Sequence, residues 1–203
     1  RKGNDLESAR TNMAQLMDSP VMLQEIPELL AYNFSGIDFI DQPVELGFDS
    51  PLDLHCSYSR DQVLTAFDFE NPSSFREGVK WFAEKEIDVF FITLNKSDKD
   101  YSPSTMYHDY SINDRLFHWQ SQSTTKDTSP TGQRYIEHQK RGSKVVLFVR
   151  EYKEEQKTTS PYTYLGTATY VEHTGSRPMN IVWRLDQPIP AKYLKKTNKL
   201  LVG

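Results

Sequence analysis

Between residues 95 and 143 the chain carries Tyr101, Tyr107, Tyr110, Phe117, Trp119 and Tyr135, interleaved with hydroxyls, amides and charges. Aromatic faces stack on a flat ligand, and amides, hydroxyls and carboxylates read a hydrogen-bonding edge. The runs 101–110 and 116–123 therefore have the composition of a pocket for a nucleobase-like group. Any one of these rings is as readily a core side chain or a loop brace; Phe117 and Trp119 in particular could simply face the core. The density of polar partners moves the whole interval toward binding. So does its length, since a polar connection this long usually has a function.

A second chemistry sits beside it. From Gln133 to Lys153 the cations Arg134, Lys140, Arg141, Lys144, Arg150 and Lys153 meet only Glu137 and Glu151. Such an excess next to Gly142, where backbone can approach a ligand, suits a phosphate-contacting edge as well as it suits a solvated strand end. Arg177, in the turn 175–178, is a further candidate for phosphate.

Catalytic arrangements are weaker. His108 with Asp109, or His118 near Gln122, could be drawn as a general base, but nothing places a nucleophile elbow beside them. Asp88 lies on a strand that superficially suits a metal-dependent nuclease, yet the position before Lys96 is Asn95, an amide without the charge to hold a metal ion. Asp98 and Asp100 alternate with Lys96 and Lys99 and read as a solvated loop. There is no phosphate-binding glycine loop and no metal-ligand cluster, so neither catalysis nor a metal is expected of this chain itself.

The elements that must position these residues change period along the chain. Leu6, Ala9, Met13, Leu16 and Met17 mark one face of a helix over 6–17, which Asp18, Ser19 and Pro20 stop; a second helix is expected over 24–32. Ser59 is a candidate N-cap for a short helix over 60–67. Beyond it, 87–94, 144–150, 162–171 and 179–185 are β-branched and aromatic without helical spacing, hence strands. The last three should be antiparallel neighbours in a curved sheet or open barrel, with Gly166 marking a bulge or bend. The fold class is α+β: a helical connector or docking unit over 1–56, then a sheet domain over 57–203.

Charge follows the same division. Residues 1–70 hold 13 acidic and 4 basic groups, residues 71–203 hold 15 and 20, and the net charge of −4 hides the contrast. Only the second part could meet a polyanion. A single cysteine, Cys56, excludes an internal disulfide and suits a reducing compartment, so a cytoplasmic location is expected. The start at Arg1, with no signal segment and no membrane-spanning run, reads as a piece of a larger protein.

Four runs carry a resemblance: 91–97, 101–110, 116–122 and 178–185. In this order they are similar to the C-terminal domain of bacterial fusions that join a phospholipase-D-type nuclease to a superfamily-2 helicase, among them type IV, modification-dependent restriction enzymes. The likeness spans roughly residues 58–190. It implies a target-recognition domain, not itself an enzyme, that finds 5-methylcytosine, or 5-hydroxymethylcytosine, in duplex DNA. Its partners would be that DNA and the helicase and nuclease domains of the same parent chain, with no membrane. No cofactor is implied for the domain itself; ATP and Mg2+ would serve the helicase part. By analogy with other methylcytosine readers the fold would be SRA-like (PUA-like), with the base flipped into an aromatic pocket. On that implication Tyr101, Tyr107, Tyr110 and Trp119 supply stacking walls, and Asp109 accepts from the cytosine amine. Gln120, Ser121 and Gln122 are alternative edge readers, Met106 or Phe91 sense the methyl group, and Arg134, Lys140, Arg141, Lys144 and Arg177 hold phosphates. A docking platform, a nonspecific DNA clamp and a cryptic nuclease using Asp88 or Asp100 are the competing readings.

Overall fold

The computed structural model describes residues 6–35, 43–95, 109–191, 193 and 194. Contacts divide the chain into two compact units, residues 1–41 and 42–203. This boundary precedes the expected one after residue 56, because Leu46, Leu52 and Leu54 are buried in the second unit.

The first unit holds helices α1 (Leu6–Met17) and α2 (Pro20–Ser35). Helix α1 stops before Asp18, Ser19 and Pro20 as expected, and Pro20 is then the first residue of α2, four residues ahead of the expected start, where its missing N–H costs nothing and its fixed φ suits a helix start. On these helices Leu6, Met13, Met17, Val21, Leu29, Leu30 and Tyr32 are all exposed. Among the described residues no helix is long and apolar enough to cross a membrane.

The second unit is built on a sheet. Its strands are β1 (Ser57–Tyr58), β2 (Val79–Phe82), β3 (Ile87–Asn95), β4 (Tyr110–Ser111), β5 (Leu116–Gln120), β6 (Lys144–Tyr152), β9 (Tyr162–Thr174) and β10 (Asn180–Leu185); β7 (Glu154–Glu155) and β8 (Thr158–Thr159) form a separate hairpin. The order is β2-β3-β6-β9-β10-β5-β4, with β1 against the start of β9. The three expected antiparallel neighbours, β6, β9 and β10, lie side by side. The sheet is unclosed and mostly antiparallel, as expected. Unexpectedly, β3 and β6 run parallel, Phe91 opposite Phe148. A parallel pair needs a long crossover, and residues 96–143 are that crossover.

Alternation along β3 and β6 splits the apolar residues between two cores. Phe90, Ile92, Leu94, Val145, Leu147 and Val149 face one side, where α4 (Pro130–Glu137) contributes Tyr135. Ile87, Val89, Phe91, Val146 and Phe148 face the other, beneath α3 (Arg60–Ala66). Helix α3 starts as its sequence predicts: Ser59 Oγ accepts from the Gln62 N–H at 3.2 Å and Gln62 Oε1 accepts from the Ser59 N–H at 2.8 Å, a reciprocal cap. Gly166 lies at the register shift between β6 and β9 with φ +85°, where a Cβ would sit 2.8 Å from Leu54 Cδ1. The left-handed conformation favours glycine here, and a side chain would also press on the tip of Leu54.

A buried histidine fastens α4 to the sheet. His138 Nε2 accepts from the Tyr170 N–H at 3.0 Å, and its Nδ1 lies 3.1 Å from the Ser143 carbonyl, which can only accept. These partners require the neutral, Nδ1-protonated ring. Burial pulls its pKa below the ordinary 6.5, against the opposing pull of Ser143 and Asp186. The folded state thus binds its proton less readily than the unfolded chain, and stability falls as pH drops below about 6.5. Urea unfolding between pH 7.5 and 5 should show this slope, reduced in His138→Gln; an unchanged slope in the variant would refute the assignment.

Candidate nucleic-acid interface

Strands β5 and β10 carry two sets of side chains. Phe117, Trp119, Ile181 and Trp183 point into the core. Their neighbours point the other way, since directly opposed residues share a face: Gln120 lies opposite Asn180, Val182 opposite His118, and Tyr110 of β4 opposite His118. On this outer face the Tyr110 and His118 rings stack at 4.8 Å with planes 17° apart. Gln120 Nε2 donates to Asn180 Oδ1 at 2.9 Å. All four side chains are half-buried, and the face continues onto β9 through exposed Glu172 and Thr174. Stacked rings beside a pair of amides can engage both the face and the edge of a planar ligand.

The residues singled out from sequence fall into three groups. Tyr101, Met106 and Tyr107 lie outside the described residues, as do Asp98 and Asp100. Tyr110 and Gln120 are on the outer face. The structure places the others elsewhere than a ligand-facing wall requires. Trp119, 5% exposed, stacks on Phe90 at 4.2 Å, and Phe91 is packed in the opposite core. Alternation with His118 and Gln120 turns Trp119 inward, while Phe91 lies on a strand buried on both faces. Ser121 is fully buried, its hydroxyl accepting from the Met179 N–H at 2.9 Å and donating to the Gln122 carbonyl. Asp109 is 1% exposed and accepts from the Gln120 N–H at 2.9 Å, so it anchors the entry to β4. Gln122 is half-buried and accepts from the Thr125 hydroxyl.

The expected phosphate contacts separate likewise. Arg134 is committed inside the protein: its Nε and Nη2 grip both oxygens of buried Asp88 at 2.7 and 2.9 Å, and its guanidinium lies 4.3 Å from the Trp81 ring centre. Burial raises the Asp88 carboxyl pKa, against the pull of Arg134. The same contact occupies the carboxylate that a nuclease reading would use. Lys144 Nζ donates to the Leu46 carbonyl at 3.1 Å, and Arg141 pairs with Glu137 at 2.9 Å. Lys140 and Arg177 are exposed.

Sequence reasoning missed a basic cleft where β3 and β6 end. Arg60, Arg76, Arg150 and Lys153 line a cavity of about 530 Å³ with Asp61 and Tyr162. Arg150 and Lys153 were part of the six-cation run; Arg60 and Arg76 lie far away in sequence and only the fold brings them in.

Residues 52–196 match a family model described as a domain of unknown function, DUF3427, a span inside the second unit. No curated protein matches the chain. Among solved structures, Arabidopsis thaliana SUVH6, determined in complex with SAM, superposes with a TM-score of 0.45 at 11% identity over 86% of this chain and 34% of that one. The chain thus spans about a third of the SUVH6 chain's length.

Proposed function

The chain belongs to the DUF3427 family, and from that premise we propose that its second unit is a DNA reader that recognises modified cytosine. The observation that supports this best is the outer face of β4, β5 and β10, where the Tyr110–His118 stack adjoins the Gln120–Asn180 amide pair. In this reading Tyr110 stacks on a base, with Tyr101 and Tyr107 from the segment leading into β4, while Gln120 and Asn180 read its edge. Asp109 and Ser121 act by holding Gln120 and the β5–β10 end in place. Exposed Lys140 and Arg177 contact phosphates. The SRA-like character of the open sheet, base flipping and a preference for 5-methylcytosine are parts of the same proposal. So is a place beside helicase and nuclease domains in a type IV restriction enzyme resembling SauUSI. Their support is the order of the four runs at 91–97, 101–110, 116–122 and 178–185. The unit would bind without chemistry of its own, ATP and Mg2+ serving the rest of such an enzyme in the cytoplasm.

The test is an equilibrium titration of the chain against matched duplexes differing in one cytosine methyl group, at two salt concentrations. We expect salt-sensitive binding that favours the methylated duplex, as phosphate contacts impose the salt dependence. Tyr110→Ala should weaken binding about tenfold or more, the effect of losing a base stack worth roughly 1–3 kcal/mol. Equal affinity for both duplexes would reduce the reading to a nonspecific clamp. The exposed apolar residues of α1 and α2 favour a second role, docking to the rest of a parent chain. Deleting residues 1–41 should then leave DNA affinity intact while abolishing that association.

A further inference from the structure

Among the described residues Arg134 pairs with Asp88, Arg141 with Glu137 and Lys85 with Asp68. Arg150 is held differently. It is 8% exposed, and among the described residues it makes no ion pair. Its Nε donates to Thr93 Oγ1 at 3.0 Å and its Nη1 to the Ser160 carbonyl at 3.1 Å, both neutral groups. Its guanidinium lies 4.3 Å from the Tyr162 ring centre. Arg60 approaches the same ring at 5.8 Å, donates to its hydroxyl at 3.0 Å, and sits 5.1 Å from the Phe91 ring centre. Two guanidinium groups thus lie against one buried ring, and among the described residues neither forms an ion pair. Cation–π contact offsets only part of the cost of withdrawing such charges from water.

Two further atoms in this cleft lack partners. Arg60 Nε and Ser160 Oγ are both buried and make no hydrogen bond among the described residues. Buried donors are nearly always satisfied, so a missing acceptor is the simplest account of both. Arg76 and Lys153 add positive charge to the lining, and Asp61, exposed on α3, is the one carboxylate among its described residues.

We propose that the cleft walled by Arg60, Arg150 and Ser160 is a binding site for a phosphate group. Guanidinium forks match the several oxygens of a tetrahedral anion, and a cation-rich lining suits phosphate better than a carboxylate. A cavity of about 530 Å³ exceeds a free ion, so the phosphate is an ester, carried by a small molecule or by a nucleic-acid strand. The inference rests on these side chains alone and goes beyond the proposed reading of cytosine on the outer face.

The experiment is calorimetric titration of the whole chain with inorganic phosphate at constant ionic strength, with acetate as control, for the unaltered chain and for Arg60→Gln. Arg60 is the residue to change, because Arg150 also ties β3 to Ser160; circular dichroism verifies that the variant folds, and Ser160→Ala is the second variant. We expect saturable phosphate binding, absent with acetate and at least tenfold weaker in Arg60→Gln. Phosphate binding no better than acetate, or unchanged in both variants, overturns the site. A competing unmodified duplex then identifies the source: displacement of phosphate assigns a backbone phosphate, and simultaneous binding assigns a separate ester. A chain that prefers methylated duplex but ignores phosphate loses this site alone. One that binds phosphate but no DNA loses the reader and keeps the site.

Discussion

Alanine at Arg134 should lower the unfolding free energy by about 3 kcal/mol at neutral pH, the lower end of the roughly 3–5 kcal/mol lost when one partner of a buried ion pair is removed. The lower end applies because 19% of the Arg134 side chain meets solvent while Asp88 has 1%. The stranded carboxyl can also take up a proton. Burial already raises its pKa, and without Arg134 it rises further. A group raised in the folded state contributes stability at low pH that is lost as pH climbs through the folded value. The deficit of Arg134→Ala should therefore be greatest near pH 7 and shrink toward the ordinary carboxyl value of 3.8. Urea unfolding of both proteins across this range measures it. A loss below about 1 kcal/mol, or one independent of pH, would show that the pair does not hold α4 against β3.

Gly132→Ala should be similarly damaging, and in the direction opposite to helix propensity. Alanine is better than glycine in a helix by about 1 kcal/mol, yet a Cβ at Gly132 would collide with the backbone of Lys126 and Asp127. That turn cannot yield cheaply. Ser129 Oγ donates to the Lys126 carbonyl at 2.6 Å and accepts from the Gly132 N–H at 3.1 Å, so the obstacle is also the cap of α4. Overpacking costs about 1–3 kcal/mol and more where main chain must move; we expect about 3 kcal/mol. Near-ultraviolet circular dichroism should change as well, because α4 places Tyr135 against Phe90 and Trp119. A variant as stable as the parent would mean that the 126–129 turn is free to shift.

The main strands and the α3 cap were legible because their signals are local: β-branched and aromatic runs without helical spacing at 87–94 and 144–150, and Ser59 followed three residues later by Gln62. Gly166 was legible for the same reason. Strand β5 was not, although apolar and polar residues alternate over Phe117-His118-Trp119-Gln120, because five residues inside a polar interval give one short period with no partner in view. Read as a strand, that alternation separates Phe117 and Trp119 from His118 and Gln120, and so core from outer face. Helix α4 was hidden by its eight residues, although Ser129 followed by Pro130 is a helix start. Pairings between distant residues leave no local trace. Nothing near Arg134 points to Asp88, and nothing near Arg150 points to Arg60; charge counting alone treats a committed guanidinium and an available one alike.

The strand order also sets a sequence of events during synthesis. Strand β5 is made before β6, β9 and β10, yet its place in the sheet is beside β10, the last strand. Chain emerging from the ribosome can lay down β2, β3, β6 and β9 while the β4–β5 pair waits with the β10-facing edge of β5 open. The Tyr110–His118 stack can form within the β4–β5 pair, but the Gln120–Asn180 contact comes into being only when β10 is added. A chain interrupted before residue 180 would lack Ile181, Trp183 and Leu185 from one core and the Asn180 amide from the outer face, so that core and that face are completed by the same strand.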